Sequence, residues 1–107
     1  IAALGMKSLG GEGDAVKRKA VSADEALRYA MSLPVATTIS GIDSMRVLRQ
    51  NLRVARGFRP MTPRQMAALR RRSAPLAADG RFELYKTTGK HEGPVGRRAH
   101  GFPLAED

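Results

Sequence analysis

The chain alternates short apolar runs with amphipathic segments, which is typical of strands joined by helices. A run rich in β-branched residues, 35–39, lies between Pro34 and Gly41 and favours a short buried parallel strand. Residues 1–4 form another apolar run, which gives way to polar residues from Lys7 onward. We therefore predict two parallel strands joined by a helical crossover, as in a βαβ unit.

Two helices are predicted from capping boxes. In this motif a Ser or Thr is followed three residues later by a Glu or Gln, and the side chain of each residue accepts a hydrogen bond from the backbone N–H of the other. The first covers residues 21–33 and opens on Ser22. The second covers residues 62–72 and opens on Thr62, with Pro63 at its first position. Their apolar residues recur at helical spacing, so one face of each should be buried. The predicted core positions are Ala23, Ala26, Leu27, Ala30, Met31, Met66, Ala67 and Leu69.

A third helix is predicted at about residues 44–55, capped by Asp43 or Ser44 and ended by Gly57. The N–H groups and dipole at its start favour an anion, for which phosphate is the natural choice. Its predicted core stripe is Met45, Leu48, Leu52 and Ala55, beside which lie Arg46, Arg49, Arg53 and Arg56.

Helical periodicity ends near Pro75. Because Gly and Pro are frequent beyond this point, we predict one domain at residues 1–78 and a partly disordered tail at residues 79–107. The chain begins on an apolar run without Met, which we interpret as the truncated end of a longer protein.

The formal net charge of the 107 residues is +9, and residues 44–78 contain nine arginines and no acidic residue. Such a block raises the possibility of contact with nucleic acid or an acidic membrane, but we interpret it as solvated helix faces. The absence of Cys excludes disulfides, thiolate metal sites and a Cys nucleophile. No apolar run is long enough to span a membrane, so we expect no membrane partner. A cytoplasmic location is a separate expectation, and the sequence itself leaves the compartment open.

Residues 23–69 read ADEALRYAMSLPVATTISGIDSMRVLRQNLRVARGFRPMTPRQMAAL. This run resembles the C-terminal end of the aldo/keto reductases, in which an ALRY-type helix precedes the eighth strand. The cofactor-binding turn, the segment QNL at residues 50–52 and a Thr-capped helix then follow in the family's order. Residues 5–11, GMKSLGG, resemble the family's seventh strand and its LG loop, and residues 79–88 resemble the endings of a bacterial subgroup of oxidoreductases.

The resemblance implies an α/β fold, namely the C-terminal βαβαα portion of a partial (β/α)8 TIM barrel with an irregular tail. The parent enzyme would use NADP or NAD to transfer hydride to an aldehyde or ketone. The chain would contribute cofactor-binding elements only, because the family's catalytic Asp, Tyr, Lys and His lie in the first half of its barrel. Alone, it is expected to be inactive and poorly soluble.

The resemblance also implies the cofactor-binding residues. Met6 would contact the nicotinamide, and Lys7, Leu9 and Gly10 would lie along the pyrophosphate. Near the adenosine ribose would be Ser40, Gly41 and Asp43, and facing the adenine would be Val47, Gln50 and Asn51. Members that prefer NADP often have Lys and Arg where this chain has Gly41 and Val47, so the choice between NADP and NAD stays open.

No catalytic residue and no metal site are predicted in the chain itself. Tyr85, Lys86 and His91 share residue types with the catalytic tetrad but do not match its motif. We interpret His91 and His100 as solvated residues of the tail.

An alternative interpretation is a small basic helix-turn-helix-like module that binds nucleic acid. The predicted helices 44–55 and 62–72 are separated by a short turn and carry arginines suited to phosphates. However, the apolar residues 66–69 make the second helix a packing element and not a recognition helix. Nucleic acid is therefore an unlikely partner on this reading, and the oligomeric state stays open.

Overall fold

A computed structural model describes residues 1–84, 93–99 and 101–104. The predictions for Tyr85, Lys86, His91 and His100 concern residues outside this set. The elements in chain order are β1 (Leu4–Gly5), α1 (Asp14–Lys17), α2 (Ala23–Met31), β2 (Thr37–Thr38), α3 (Met45–Arg56), α4 (Pro63–Ala77) and α5 (Pro94–Ala99).

The strands β1 and β2 form a two-stranded parallel sheet. The Ala36 N–H donates to the Ala3 carbonyl over 2.8 Å, and the Ile39 N–H donates to the Gly5 carbonyl over 2.7 Å. The chain passes through α1 and α2 between the strands, so the predicted parallel pair with a helical crossover is confirmed. The register pairs Leu4 with Thr37 and Gly5 with Thr38.

The predicted partial TIM barrel is wrong, because the described residues form five helices and a sheet of only two strands. Each strand is two residues long. The expected buried strand at residues 35–39 is reduced to Thr37–Thr38, and Ile39 is 45% exposed. A parallel strand is buried only when neighbouring strands and helices cover both its faces, and this small sheet lacks that cover.

Helix α2 is the centre of packing, since it lies against both β2 and α3. Its capping box is confirmed: Ser22 Oγ accepts from the Glu25 N–H at 3.1 Å, and the Glu25 carboxylate accepts from the Ser22 N–H at 3.0 Å. Ala26 and Leu27 are buried, as predicted. The buried apolar residues of the described chain are Ala20, Ala26, Leu27, Val54, Leu69 and Phe82.

Helix α4 begins with the predicted capping box of Thr62 and Gln65 and buries Leu69, also as predicted. It continues to Ala77 and so extends past the expected end at residue 72. Pro75 lies in its last turn, where the missing N–H removes a single helical hydrogen bond near the end.

Two arginines of α4 hold it against α2. Arg72 forms an ion pair of 2.7 Å with Glu25, and Arg70 donates a hydrogen bond of 3.0 Å to the Tyr29 hydroxyl. These contacts complement the apolar packing of Leu69. The segment before α4 is also fixed, because the Ser32 hydroxyl at the end of α2 accepts from the Met61 N–H at 2.8 Å.

Helix α3 is rotated relative to the prediction. Met45 is 60% exposed and Leu52 is 41% exposed, whereas Val54 is only 4% exposed. Apolar residues lie on two sides of this helix, and the side that includes Val54 is the buried one. The predicted stripe of Met45, Leu48, Leu52 and Ala55 is therefore wrong as a core face, with Leu48 alone half-buried.

Beyond Pro75, two parts of the chain that the structure describes are ordered. Phe82 is buried at 8% exposure, and residues Pro94–Ala99 form α5 within the expected irregular tail.

Of the helices that the structure describes, none combines the length and apolar character needed to cross a bilayer.

Candidate functional site

A groove of about 410 Å³ lies where the loop after β1, the loop after β2 and the start of α3 meet. We call it the α3 groove. Its walls come from two separate segments of the chain, residues 7–23 and 39–50. Seven of the ten predicted cofactor-binding residues line it: Lys7, Leu9, Ser40, Gly41, Asp43, Val47 and Gln50.

The other three predicted residues do not line this groove. Met6 and Gly10 border a second cleft of about 430 Å³ between α2, α4 and the loop after β1. The lining of that cleft is mainly apolar and includes Leu69 and Phe82. Asn51 lies behind the α3 groove and contacts it through Ser40.

The start of α3 forms one wall of the α3 groove. Ser44 caps the helix, and its hydroxyl accepts from the Val47 N–H at 3.2 Å. The neighbouring positions Asp43, Arg46 and Val47 line the groove. The first turn of a helix has N–H groups without helical acceptors and a positive dipole end, so this wall favours a negatively charged ligand group.

The side chains of Ser40 and Asn51 form a pair at the base of the α3 groove. Asn51 Nδ2 donates to Ser40 Oγ at 3.0 Å. Because Ser40 accepts this bond, its own hydroxyl hydrogen can be donated to a ligand in the groove. Asn51 Oδ1 and Thr38 Oγ1 are buried and make no hydrogen bond within the part of the chain that the structure describes.

Left-handed backbone conformations determine the course of the loop after β1. Lys7 has a φ of 62°, which is uncommon for a residue with a side chain, and its carbonyl accepts from the Gly10 N–H at 2.9 Å. Gly10 itself has a φ of 76°, and a Cβ there would come 2.9 Å from the Phe82 carbonyl oxygen. Residues 7–10 thus make a tight turn that sets Lys7 against the groove.

Charges of both signs line the α3 groove. Lys7, Lys17 and Arg46 provide cations, and Glu12 and Asp43 provide carboxylates. Cations and N–H groups suit phosphate, whereas a carboxylate can accept hydrogen bonds from sugar hydroxyls. The groove therefore has the chemistry for a ligand that carries both phosphate and sugar.

Sequence reasoning missed two of these cations. Lys17 ends the short helix α1, and Arg46 lies in the first turn of α3. Both line the groove, although neither is among the predicted cofactor-binding residues.

No group of three or more His, Cys, Asp or Glu residues suited to a metal occurs among the described residues.

No protein-family model, curated protein or solved structure matches the chain.

Proposed function

We propose that the chain supplies cofactor-binding elements of an NAD(P)-dependent oxidoreductase of the aldo/keto reductase type. The observation that carries this proposal is the shared groove, since seven residues that the family resemblance implies for one ligand line one cleft. The volume of about 410 Å³ lies within the range of about 300–1,000 Å³ that is usual for small-molecule sites.

The groove residues fit the charged pyrophosphate and the polar ribose of a dinucleotide. Lys7 and Lys17 would attract the pyrophosphate. The Ser40 hydroxyl would donate a hydrogen bond to the adenosine ribose. Asp43 would accept from the ribose hydroxyls. Val47 would offer an apolar surface for the adenine ring.

Arg46 bears on the choice between NADP and NAD. It lines the groove beside Gly41 and Val47, the positions where NADP-preferring members of the family often carry cations. A guanidinium in this place would attract a 2′-phosphate, so the proposal favours NADP as the ligand.

The parent enzyme would transfer hydride from the cofactor to an aldehyde or ketone, in a cytoplasmic setting. The nicotinamide carries that chemistry, and the residues of this chain would hold and orient the cofactor. No residue of the chain is assigned to proton transfer. Purified chain mixed with NADPH and a small aldehyde should therefore show no oxidation of NADPH at 340 nm.

The direct test is a titration of the ¹⁵N-labelled chain with NADP+ and with NAD+, followed by amide chemical shifts. We expect shift changes concentrated at the amides of Lys7, Leu9, Ser40, Gly41, Val47 and Gln50, with a tighter response to NADP+. Inorganic phosphate at the same concentration is the control for a general anion effect. Unchanged spectra with both nucleotides, or changes centred on α4, would rule out the proposal.

A further inference from the structure

Four arginines form a continuous row on the outer side of α3, and all four are exposed. At 100° per residue they fall within an arc of about 80°, and the first and last are about 15 Å apart along the helix axis. We call this row the arginine stripe. Its members are Arg46, Arg49, Arg53 and Arg56.

Among the described residues, no acidic side chain forms an ion pair with the stripe. The ion pairs of Glu25 with Arg72 and of Asp79 with Arg81 do not involve α3. Helix α3 contains no acidic residue. Like charges at helical spacing repel one another, so an external polyanion would relieve that repulsion.

We propose that the arginine stripe binds the phosphate backbone of a nucleic acid without reading its base sequence. Guanidinium groups donate two parallel hydrogen bonds to a phosphate, and all four positions are Arg and none is Lys. A straight, narrow row of cations matches a strand of regularly spaced phosphates. Contacts of this kind give affinity that depends on salt and not on sequence.

The shape of the stripe favours a linear polyanion over a bilayer. The exposed apolar residues Met45 and Leu52 lie at one flank of the arginines and not among them. These two side chains offer little apolar area for insertion into a bilayer, on which the binding of interfacial helices depends. A phosphate strand can follow the stripe with Met45 and Leu52 left at its edge.

The contact differs from a helix-turn-helix, in which α4 would be the recognition helix. Arg70 and Arg72 of α4 are engaged with Tyr29 and Glu25 of α2. The arginines available to phosphate therefore include those of α3. The inference does not depend on the proposed cofactor role, and only Arg46 belongs to both surfaces.

The test measures binding of the full chain to a fluorescein-labelled 20-base-pair DNA duplex by anisotropy, at several NaCl concentrations and with two unrelated sequences. Engagement of about three phosphates predicts a log–log salt slope of about −2.7, or about a 40-fold loss of affinity between 50 and 200 mM salt. The triple variant R49Q/R53Q/R56Q spares Arg46 and so keeps the cofactor groove intact. It should lower the magnitude of the slope by about one for each arginine that contacts a phosphate.

The matched control is R18Q/R64Q/R71Q, which removes the same charge from exposed arginines elsewhere. It should keep most of the affinity and slope. A further variant, R49K/R53K/R56K, retains the charge and should keep the slope with weaker binding; circular dichroism checks that all variants fold. The proposal fails if the chain does not bind at 50 mM salt, if both glutamine triples lose affinity equally, or if the stripe binds phosphatidylserine vesicles but not the duplex.

Discussion

The side-chain amide nitrogen of Asn51 donates a 3.0 Å hydrogen bond to the hydroxyl of Ser40. This bond joins the middle of α3 to the loop after β2. The amide oxygen of Asn51 is already buried without a partner among the described residues. The pair therefore holds one wall of the α3 groove, but it leaves the buried Asn51 amide oxygen without a hydrogen bond, which is unfavourable. Its two members should respond unequally to mutation.

Ser40→Ala should destabilise the fold by about 1–2 kcal/mol, because it would leave both polar atoms of the Asn51 amide without a partner. The double variant S40A/N51L removes the buried amide as well and should regain part of that loss. Urea unfolding followed by circular dichroism measures both. If the double variant is less stable than S40A alone, the Asn51 amide is not the source of the cost.

Lys7→Gln should weaken NADP+ binding by about threefold to tenfold, since it removes a cation that lines the α3 groove. The matched control is Lys19→Gln, because Lys19 is an exposed lysine with nearly the same backbone, φ 59° against 62°. Calorimetric titration of both variants compares them. Equal weakening would show that only the net charge matters.

Val54→Ala should destabilise the chain by about 2 kcal/mol, because it removes buried methyl groups from α3. Leu52→Ala deletes more atoms but from a side chain that is 41% exposed, and should cost less than about 1 kcal/mol. Chemical denaturation gives the free energy of unfolding of both variants and so shows which side of α3 is buried. A larger loss for Leu52→Ala would contradict the rotation described here.

The ion pair with Arg72 should make stability depend on pH. The hydrogen bond from Arg72, and then that from the Ser22 backbone, lower the pKa of Glu25 below 4.5. Because the folded-state pKa is depressed, this contribution is present above about pH 4.5 and is lost as the pH falls through the folded-state value. We expect Glu25→Gln to be less stable than the native chain by up to about 1 kcal/mol at pH 7, since the pair is partly exposed.

The same comparison at pH 3 is the internal control for Glu25. The protonated acid resembles the amide there, so the two chains should differ less than at neutral pH. Midpoints of urea unfolding at the two pH values give the difference directly. A gap that stays constant with pH would mean that Glu25 acts through packing and not through its charge.

Gly10→Ala should destabilise the chain by at least about 1–2 kcal/mol, because Gly10 has a left-handed φ of 76° and the new Cβ would lie 2.9 Å from the Phe82 carbonyl oxygen. Gly41→Ala is the control, since a Cβ there meets nothing within 4 Å. Thermal unfolding of the two variants should separate them clearly. Similar midpoints would argue against the close approach of residues 10 and 82.

Local chemistry explains what the sequence predicted well. The capping boxes at Ser22 and Thr62 are determined by residues three positions apart, so they can be read without knowledge of the fold. The parallel pairing of the two apolar runs followed from their separation by a helix. The groove residues came from a family resemblance, and their common location was a separate structural result.

Long-range packing explains what was missed. The β-branched run at residues 35–39 looks like a buried strand, but burial depends on neighbours that a local pattern does not specify. The buried face of α3 was also missed, because apolar residues such as Leu52 and Val54 lie on different sides of the helix and only Val54 is buried. Burial of Phe82 depends on a loop more than 70 residues earlier, so no local pattern near it could have indicated a core position.

Glu25 uses its two carboxylate oxygens for different tasks. Oε2 accepts from the Ser22 N–H that begins α2, and Oε1 accepts from Arg72 on α4. Detachment of α4 would thus release the side chain that completes the first turn of α2. In native-state hydrogen exchange, amides at the start of α2 should open together with those of α4, as one cooperative unit.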